Sequence, residues 1–407
     1  MIFIVLLVLL TPSTFAIDPE CYMTVPEIIR HFGYPSEVHL VRTADEYILE
    51  LHRIPHGQNQ TRSNDRPVVF LQHGIFADGF NWTPNLPNQS AGFVFADAGF
   101  DVWIANSRGT PPSQKHIGYG PEDVRFWNFT WQHISAFDLP SSIDYVLQKT
   151  GQNDLYYIGH SQGTVVMFAK LAEDAAFATK IRQFHALAPV ATVSHIGGLF
   201  RIFGNYLTDV ADFILHRIPN SPLAFPKFIQ KIMGIFCSLP IAQGVCTLDI
   251  GFIDGKEKMF NNVGRRVDSR VGLYLCHTPA ATSTKNLLHW VQVVKSRKFE
   301  KFDYGKEGNM IEYGEKTPPI YDLRKIETPT FLYWSKDDVL ADTEDIRETI
   351  LESMNATIHG SYELPHYTHL DFVFGINATF DLYRPIIEEI RKDYTTRLML
   401  QNNRVHT

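Results

Sequence analysis

The chain has 407 residues, 44% of them hydrophobic and 20% charged, with 26 Gly and 23 Pro. This is the composition of a globular protein with a large core, and it excludes a disordered chain, a collagen, a coiled coil and a disulfide-dense miniature scaffold. The net charge is −7 with no basic run of five or more residues, which argues against a nucleic-acid partner, although protonation of all 17 histidines in an acidic compartment would make the balance positive.

Residues 2–10 read IFIVLLVLL, followed by Pro12 and then Thr14-Phe15-Ala16. Nine apolar residues are too few for a bilayer span, which needs roughly 20, so no transmembrane segment is expected here. The pattern fits a secretory leader, residues 1–16, cleaved after Ala16, although no Lys or Arg precedes the apolar run. Asn-x-Ser/Thr sequons at Asn59, Asn88, Asn128, Asn355 and Asn377 suit that route. A sixth, Asn81, is the poorest candidate because it lies close to the expected active site. Cys21, Cys237, Cys246 and Cys276 allow three fully paired connectivities, and Cys237 and Cys246 are close enough in sequence for a short bridge in an oxidising compartment. No Cys-x-x-Cys or His-rich spacing points to a metal site.

Along the chain, segments 38–40 and 47–52 bracket Thr43-Ala44-Asp45-Glu46 and predict an antiparallel hairpin at a sheet edge. Strands are expected at 67–72 (PVVFLQ), 101–105 (DVWIA), 155–159 (LYYIG), 184–188 (FHALA) and 329–334 (PTFLYW), with a weaker one at 356–364. Several are apolar at consecutive positions, as parallel strands buried on both faces should be. Helical patterns at 90–98, 139–149 and 162–173 alternate with them, which predicts an α/β doubly wound sheet. Between 192 and 322 the rhythm breaks. The apolar stretches 196–203, 210–218 and 225–236, punctuated by prolines, predict an inserted helical cap without a convincing strand.

The pentapeptide Gly159-His160-Ser161-Gln162-Gly163 joins a strand to a helix. Acyl transfer needs an exposed hydroxyl on a sharp turn, and small neighbours let the backbone make it. In a strand–turn–helix setting, with chain order Ser…Asp/Glu…His, the partners should follow the later strands. Asp338 stands after 329–334, with Asp337 and Asp342 as rivals, and His369 stands after 356–364, with His366 as a rival. An oxyanion hole would take the N–H of Gln162 and that of Ile75, in the loop His73-Gly74-Ile75-Phe76. Asp138 reads as a structural residue. No metal or organic cofactor is required.

The segments LQHGIFADGFNW, DVWIANSRG, FDLPSSIDYVL, YYIGHSQGT, HALAPVA, HTPAATSTKNLLHW, DDVLADTEDI and HLDF, in that order, resemble the acid lipases, the family of the gastric and lysosomal enzymes. The resemblance runs from about Asp18 to Arg391. It implies an α/β-hydrolase core (17–191 and 323–400), a helical cap with a lid (192–322) and hydrolysis of neutral-lipid esters such as triacylglycerols or cholesteryl esters. It also implies Ser161 as nucleophile, Asp338 as acid, His369 as base, Ile75 and Gln162 as oxyanion donors and a Cys237–Cys246 disulfide. The partner would be a lipid ester at a lipid–water interface or on a lipid carrier, and the compartment the secretory pathway, outside the cell or in the lysosomal lumen. Two other functions fit the same residues: a hydrolase-fold lipid carrier with weak catalysis, and an esterase for soluble short-chain or phospholipid esters. The sequence departs from the family at Thr110-Pro111-Pro112, at Ser335-Lys336 with the extra Asp337, and at Cys21.

Overall fold

The computed structural model describes residues 18–61, 63, 65–197, 220–239, 242, 246 and 270–405. The expected leader and the apolar stretch 210–218 lie outside the described residues, as does most of 196–203.

The strands are β1 (Glu37–Arg42), β2 (Tyr47–Ile54), β3 (Val68–Gln72), β4 (Asp101–Ile104), β5 (Lys115–His116), β6 (Leu155–His160), β7 (Ile181–Leu187), β8 (Pro222–Leu223), β9 (Thr282–Ser283), β10 (Thr330–Trp334) and β11 (Ile358–Glu363). Among the described residues the main sheet runs β1-β2-β4-β3-β6-β7-β10-β11, with β5 paired to β2. From β4 through β11 every pairing is parallel, whereas β2 is antiparallel to β1 and β4. The helices used below are α1 (Val25–His31), α2 (Ala91–Asp97), α3 (Leu139–Thr150), α4 (Gln162–Glu173), α5 (Lys227–Cys237), α6 (Val271–His277) and α7 (Thr284–Ser296).

Every residue of β3, β4, β6 and β10 is buried, which explains their unbroken apolar runs: helices cover both faces, so neither face needs polar side chains. Burial of each large side chain in such a layer contributes about 1.5–3 kcal/mol. β11 is half-buried or exposed throughout and lies at the sheet's edge, which accounts for its weak sequence signal. β7 begins three residues before the expected 184, because Ile181 and Gln183 pair with Leu155 and Tyr156. Arg182 interrupts the apolar pattern there, reaching out to Asp393 at 2.7 Å.

In the 192–322 segment the described residues are mainly helical, and 225–236 corresponds to α5, which starts after Pro226. One expectation is corrected: β8 and β9 form a two-residue antiparallel pair, too short to leave any periodicity. Two disulfides occur, Cys237–Cys246 and Cys21–Cys276. The second ties the N-terminal turn Pro19–Tyr22 to α6, a link that no spacing rule reveals across 255 positions.

Candidate active site

Ser161 lies between β6 and α4 at φ +54° and ψ −118°, a conformation that costs a non-glycine residue free energy and that surrounding packing must enforce. The flanking glycines explain how it is enforced. A Cβ at Gly159 would sit 2.7 Å from the Gly163 carbonyl oxygen, and one at Gly163 would sit 2.4 Å from the Gln72 carbonyl oxygen. Both positions are therefore closed to any side chain, and the turn can press against the end of β3.

The loops that follow β3, β6, β10 and β11 meet at the C-terminal ends of these parallel strands, where α/β sheets place their ligands. Ser161 Oγ lies 2.7 Å from His369 Nε2. His369 Nδ1 lies 2.9 and 3.1 Å from the two Asp338 carboxylate oxygens. A carboxylate only accepts, so Nδ1 carries the proton and Nε2 is left to accept from the serine hydroxyl. Asp338 Oδ1 also accepts the backbone N–H groups of Leu340 and Ala341, both at 2.9 Å. Burial alone would raise the Asp338 carboxyl, but His369 beside it and these hydrogen bonds outweigh burial and hold it below its ordinary value.

Burial separates these residues from their sequence rivals. His366 Nδ1 and Asp337 Oδ2 pair with each other at 3.1 Å, with side chains 68% and 54% exposed, whereas His369 and Asp338 are 6% and 0% exposed. Asp342 caps the turn of helix at Thr343–Asp345, accepting the Glu344 N–H at 2.7 Å. Asp138 is buried and accepts from Arg108 Nε and from its backbone N–H, while Arg108 reaches Asp45 with its remaining donors. Asp138 thus sits in a buried network with Arg108 and Asp45.

Ile75 lies in the loop after β3. A Cβ on its neighbour Gly74 would come 3.0 Å from the Ser161 Cβ, so this loop passes directly beside the serine. His73 fixes its start: Nε2 accepts the Ser107 N–H at 3.0 Å, and Nδ1 donates to the Gly74 carbonyl at 2.8 Å. His160 Nε2 donates to the backbone carbonyl of His369 at 2.9 Å. Burial and the neighbouring His369 push His160 down to about 3, so its ring stays neutral. Asp371 holds the other side of the His369 loop, accepting from Thr368 N and Oγ1 at 2.9 and 2.8 Å.

Gln162 is buried with its side-chain oxygen taken by Asn286 Nδ2 and Trp290 Nε1, both at 2.9 Å. Nothing in the spacing of the sequence anticipated these contacts, nor those of His73 and His160. The segments HGIF, GHSQG and NLLHW contain all five residues, but only the fold shows which atoms meet.

Among the described residues His195, Asp342 and Glu344 bring metal-type ligand atoms within 4.8 Å of one another. His195 there faces Glu344 at 3.6 Å and Asp345 at 3.4 Å, and Asp342 is a helix cap. Of the sequons, Asn59, Asn88, Asn128, Asn355 and Asn377 are exposed, and Asn81 is buried.

The partial alpha/beta-hydrolase lipase region matches residues 25–86, and the alpha/beta hydrolase fold matches 67–224. The chain is 40% identical to the gastric triacylglycerol lipase of Bos taurus, over 92% of this chain and 93% of that protein. It is 40% identical to the lysosomal acid lipase/cholesteryl ester hydrolase of Homo sapiens, over 93% of both. The chain belongs to the acid lipase family. Lipase lipl-1 of Caenorhabditis elegans is 42% identical, over 92% of this acid lipase and 93% of that one. The fold extends further: a solved structure from Sulfolobus solfataricus matches 88% of the chain with a TM-score of 0.57 at 13% identity.

Proposed function

We propose that this acid lipase is a serine hydrolase of neutral-lipid esters, such as triacylglycerols or cholesteryl esters. The observation that carries this reading is the hydrogen-bonded set Ser161–His369–Asp338, in a chain 40% identical to relatives named for those substrates. Ser161 attacks the ester carbonyl while His369 Nε2 takes its proton. Asp338 keeps the imidazole in the tautomer that can accept and stabilises the imidazolium that forms. The N–H groups of Ile75 and Gln162 bind the oxyanion, the second reinforced by the N-terminus of α4. His369 then protonates the departing alcohol, and water, activated by the same imidazole, frees the fatty acid from Ser161. Neutral His160 contributes by holding the His369 backbone in place without placing a second positive charge beside the imidazolium.

The protein is assigned to the secretory pathway, outside the cell or in the lysosomal lumen, a reading supported by the two disulfides and the exposed sequons. The test is fatty-acid release from triacylglycerol and cholesteryl ester emulsions at pH about 4.5 and about 7, on either side of the unperturbed histidine pKa. Wild type is expected to release fatty acid, and folded Ser161→Ala to be reduced by several orders of magnitude. Equal release by the two proteins would overturn the assignment.

A further inference from the structure

Both halves of the proposed oxyanion hole are gripped by one stretch of chain, residues 280–290, far from either in sequence. At one end the Ala280 N–H donates to the Phe76 carbonyl at 2.6 Å, immediately after Ile75. Phe76 itself has φ +58°, a left-handed conformation that an aromatic residue does not hold without outside support. At the other end Asn286 Nδ2 and Trp290 Nε1 both donate to Gln162 Oε1 at 2.9 Å.

The grip is itself anchored. Asn286 is fully buried; its Oδ1 accepts the Trp131 N–H at 2.6 Å, and its Nδ2 also donates to Thr282 Oγ1 at 3.0 Å. One turn further along α7, His289 stacks on Trp131 with ring centroids 4.1 Å apart and planes 9° from parallel. The donors that reach Gln162 therefore come from a helix locked onto the core.

We infer that residues 280–290 brace the oxyanion hole, with Asn286 and Trp290 acting as positioning residues for Gln162. Gln162 follows the nucleophile directly, and its backbone N–H is one of the two proposed oxyanion donors. With its oxygen occupied by two donors, that side chain cannot turn its carbonyl towards the oxyanion or accept the N–H groups the oxyanion needs. Fixing it also fixes the orientation of its own backbone N–H. The contribution falls on the transition state, because a ground-state ester makes little demand on these donors.

The inference rests on Ser161 as nucleophile, and its test separates the two. Steady-state kinetics on soluble p-nitrophenyl butyrate would compare wild type, Gln162→Met, Trp290→Phe, the double variant and Ser161→Ala, each checked for folding by thermal melting. Gln162→Met is expected to lower kcat about tenfold or more with KM within about threefold, short of the roughly 10²–10³-fold that follows outright loss of an oxyanion donor. Trp290→Phe, which removes one hydrogen bond and keeps an aromatic ring, is expected to lower kcat about fivefold. The double variant should be no slower than Gln162→Met, because Trp290 acts through an acceptor already removed. Wild-type kcat in both single variants, losses that multiply in the double variant, or losses confined to KM would each overturn the inference. If Gln162→Met does not fold, Trp290→Phe decides alone: a lower kcat at constant KM supports the brace, and an unchanged kcat refutes it. A Ser161→Ala protein as active as wild type would instead refute the proposed nucleophile.

Discussion

Two carboxylates and two histidines stand within a few positions of each other in the loops after β10 and β11, and burial decides which pair can do chemistry. Asp338 and His369 are enclosed and hydrogen-bonded, whereas Asp337 and His366 form an exposed pair that solvent screens. Asp338→Asn is therefore expected to lower kcat by roughly 10³–10⁴-fold, because an amide no longer selects the productive imidazole tautomer. Asp337→Asn is expected to stay within about twofold of wild type, as suits an exposed pair. Steady-state kinetics on a soluble ester checks both; a reversed ranking would move the acid to Asp337. At this scale the sequence exposed Ser161 through its turn motif and the order of its partners through the strands. It did not separate Asp338 from Asp337, because the difference lies in which loop atoms close over the carboxylate. The N–H groups of Leu340 and Ala341 do that only once the loop is folded.

The central strands were legible because burial on both faces writes an unbroken apolar run, and the parallel order followed from their alternation with helices. Elements lacking that signature were blurred or lost: β11 at the exposed edge, the polar start of β7, and the two-residue strands β8 and β9. The Cys21–Cys276 link escaped for a different reason. Its halves meet only because α6 packs beside the N-terminal turn, where Arg270 also pairs with Glu20 at 2.6 Å and His277 Nε2 meets the Glu20 carbonyl at 2.9 Å. Removing a cross-link that closes so long a loop frees the unfolded chain, at a cost to the fold of about 2–4 kcal/mol. A Cys21→Ser, Cys276→Ser double variant should consequently unfold at a lower denaturant midpoint, with a slope no smaller than that of wild type because the freed unfolded chain exposes more surface, while keeping its activity on a soluble ester. An unchanged midpoint would show that Arg270 and the packing of α6 suffice without the bridge.

Across the whole molecule, protonation of all 17 histidines would reverse the sign of the net charge, but the fold divides the histidine population. Burial pushes His133, His160, His185 and His289 down to about 3, and lowers His73 as well. The unfolded chain takes up protons at these groups near pH 6.5 and the folded one does not. Their contribution to stability is thus complete above pH about 6.5 and is lost as the pH falls towards about 3. Asp338 and Asp45, held below their ordinary values, add a second loss at lower pH, as their carboxylates become protonated. Unfolding free energy measured by denaturant titration is expected to decline from pH 7 to pH 4.5. In His185→Gln the slope should be shallower by up to about 1.4 kcal/mol per pH unit. The same slope in both proteins would mean that His185 is protonated in the fold. The number of histidines is read from the chain alone, but only the three-dimensional packing separates those that face water from those that are buried.

The most direct measurement is covalent labelling of the folded protein with a fluorophosphonate, followed by peptide mass analysis. The reagent forms a stable bond with a serine hydroxyl only where a base activates it and oxyanion donors receive the phosphonyl oxygen. One adduct is expected, on the peptide containing Ser161, and none on folded Ser161→Ala. A folded wild type that takes no label, or equal labelling of the two proteins, would contradict the assignment of Ser161 as the nucleophile.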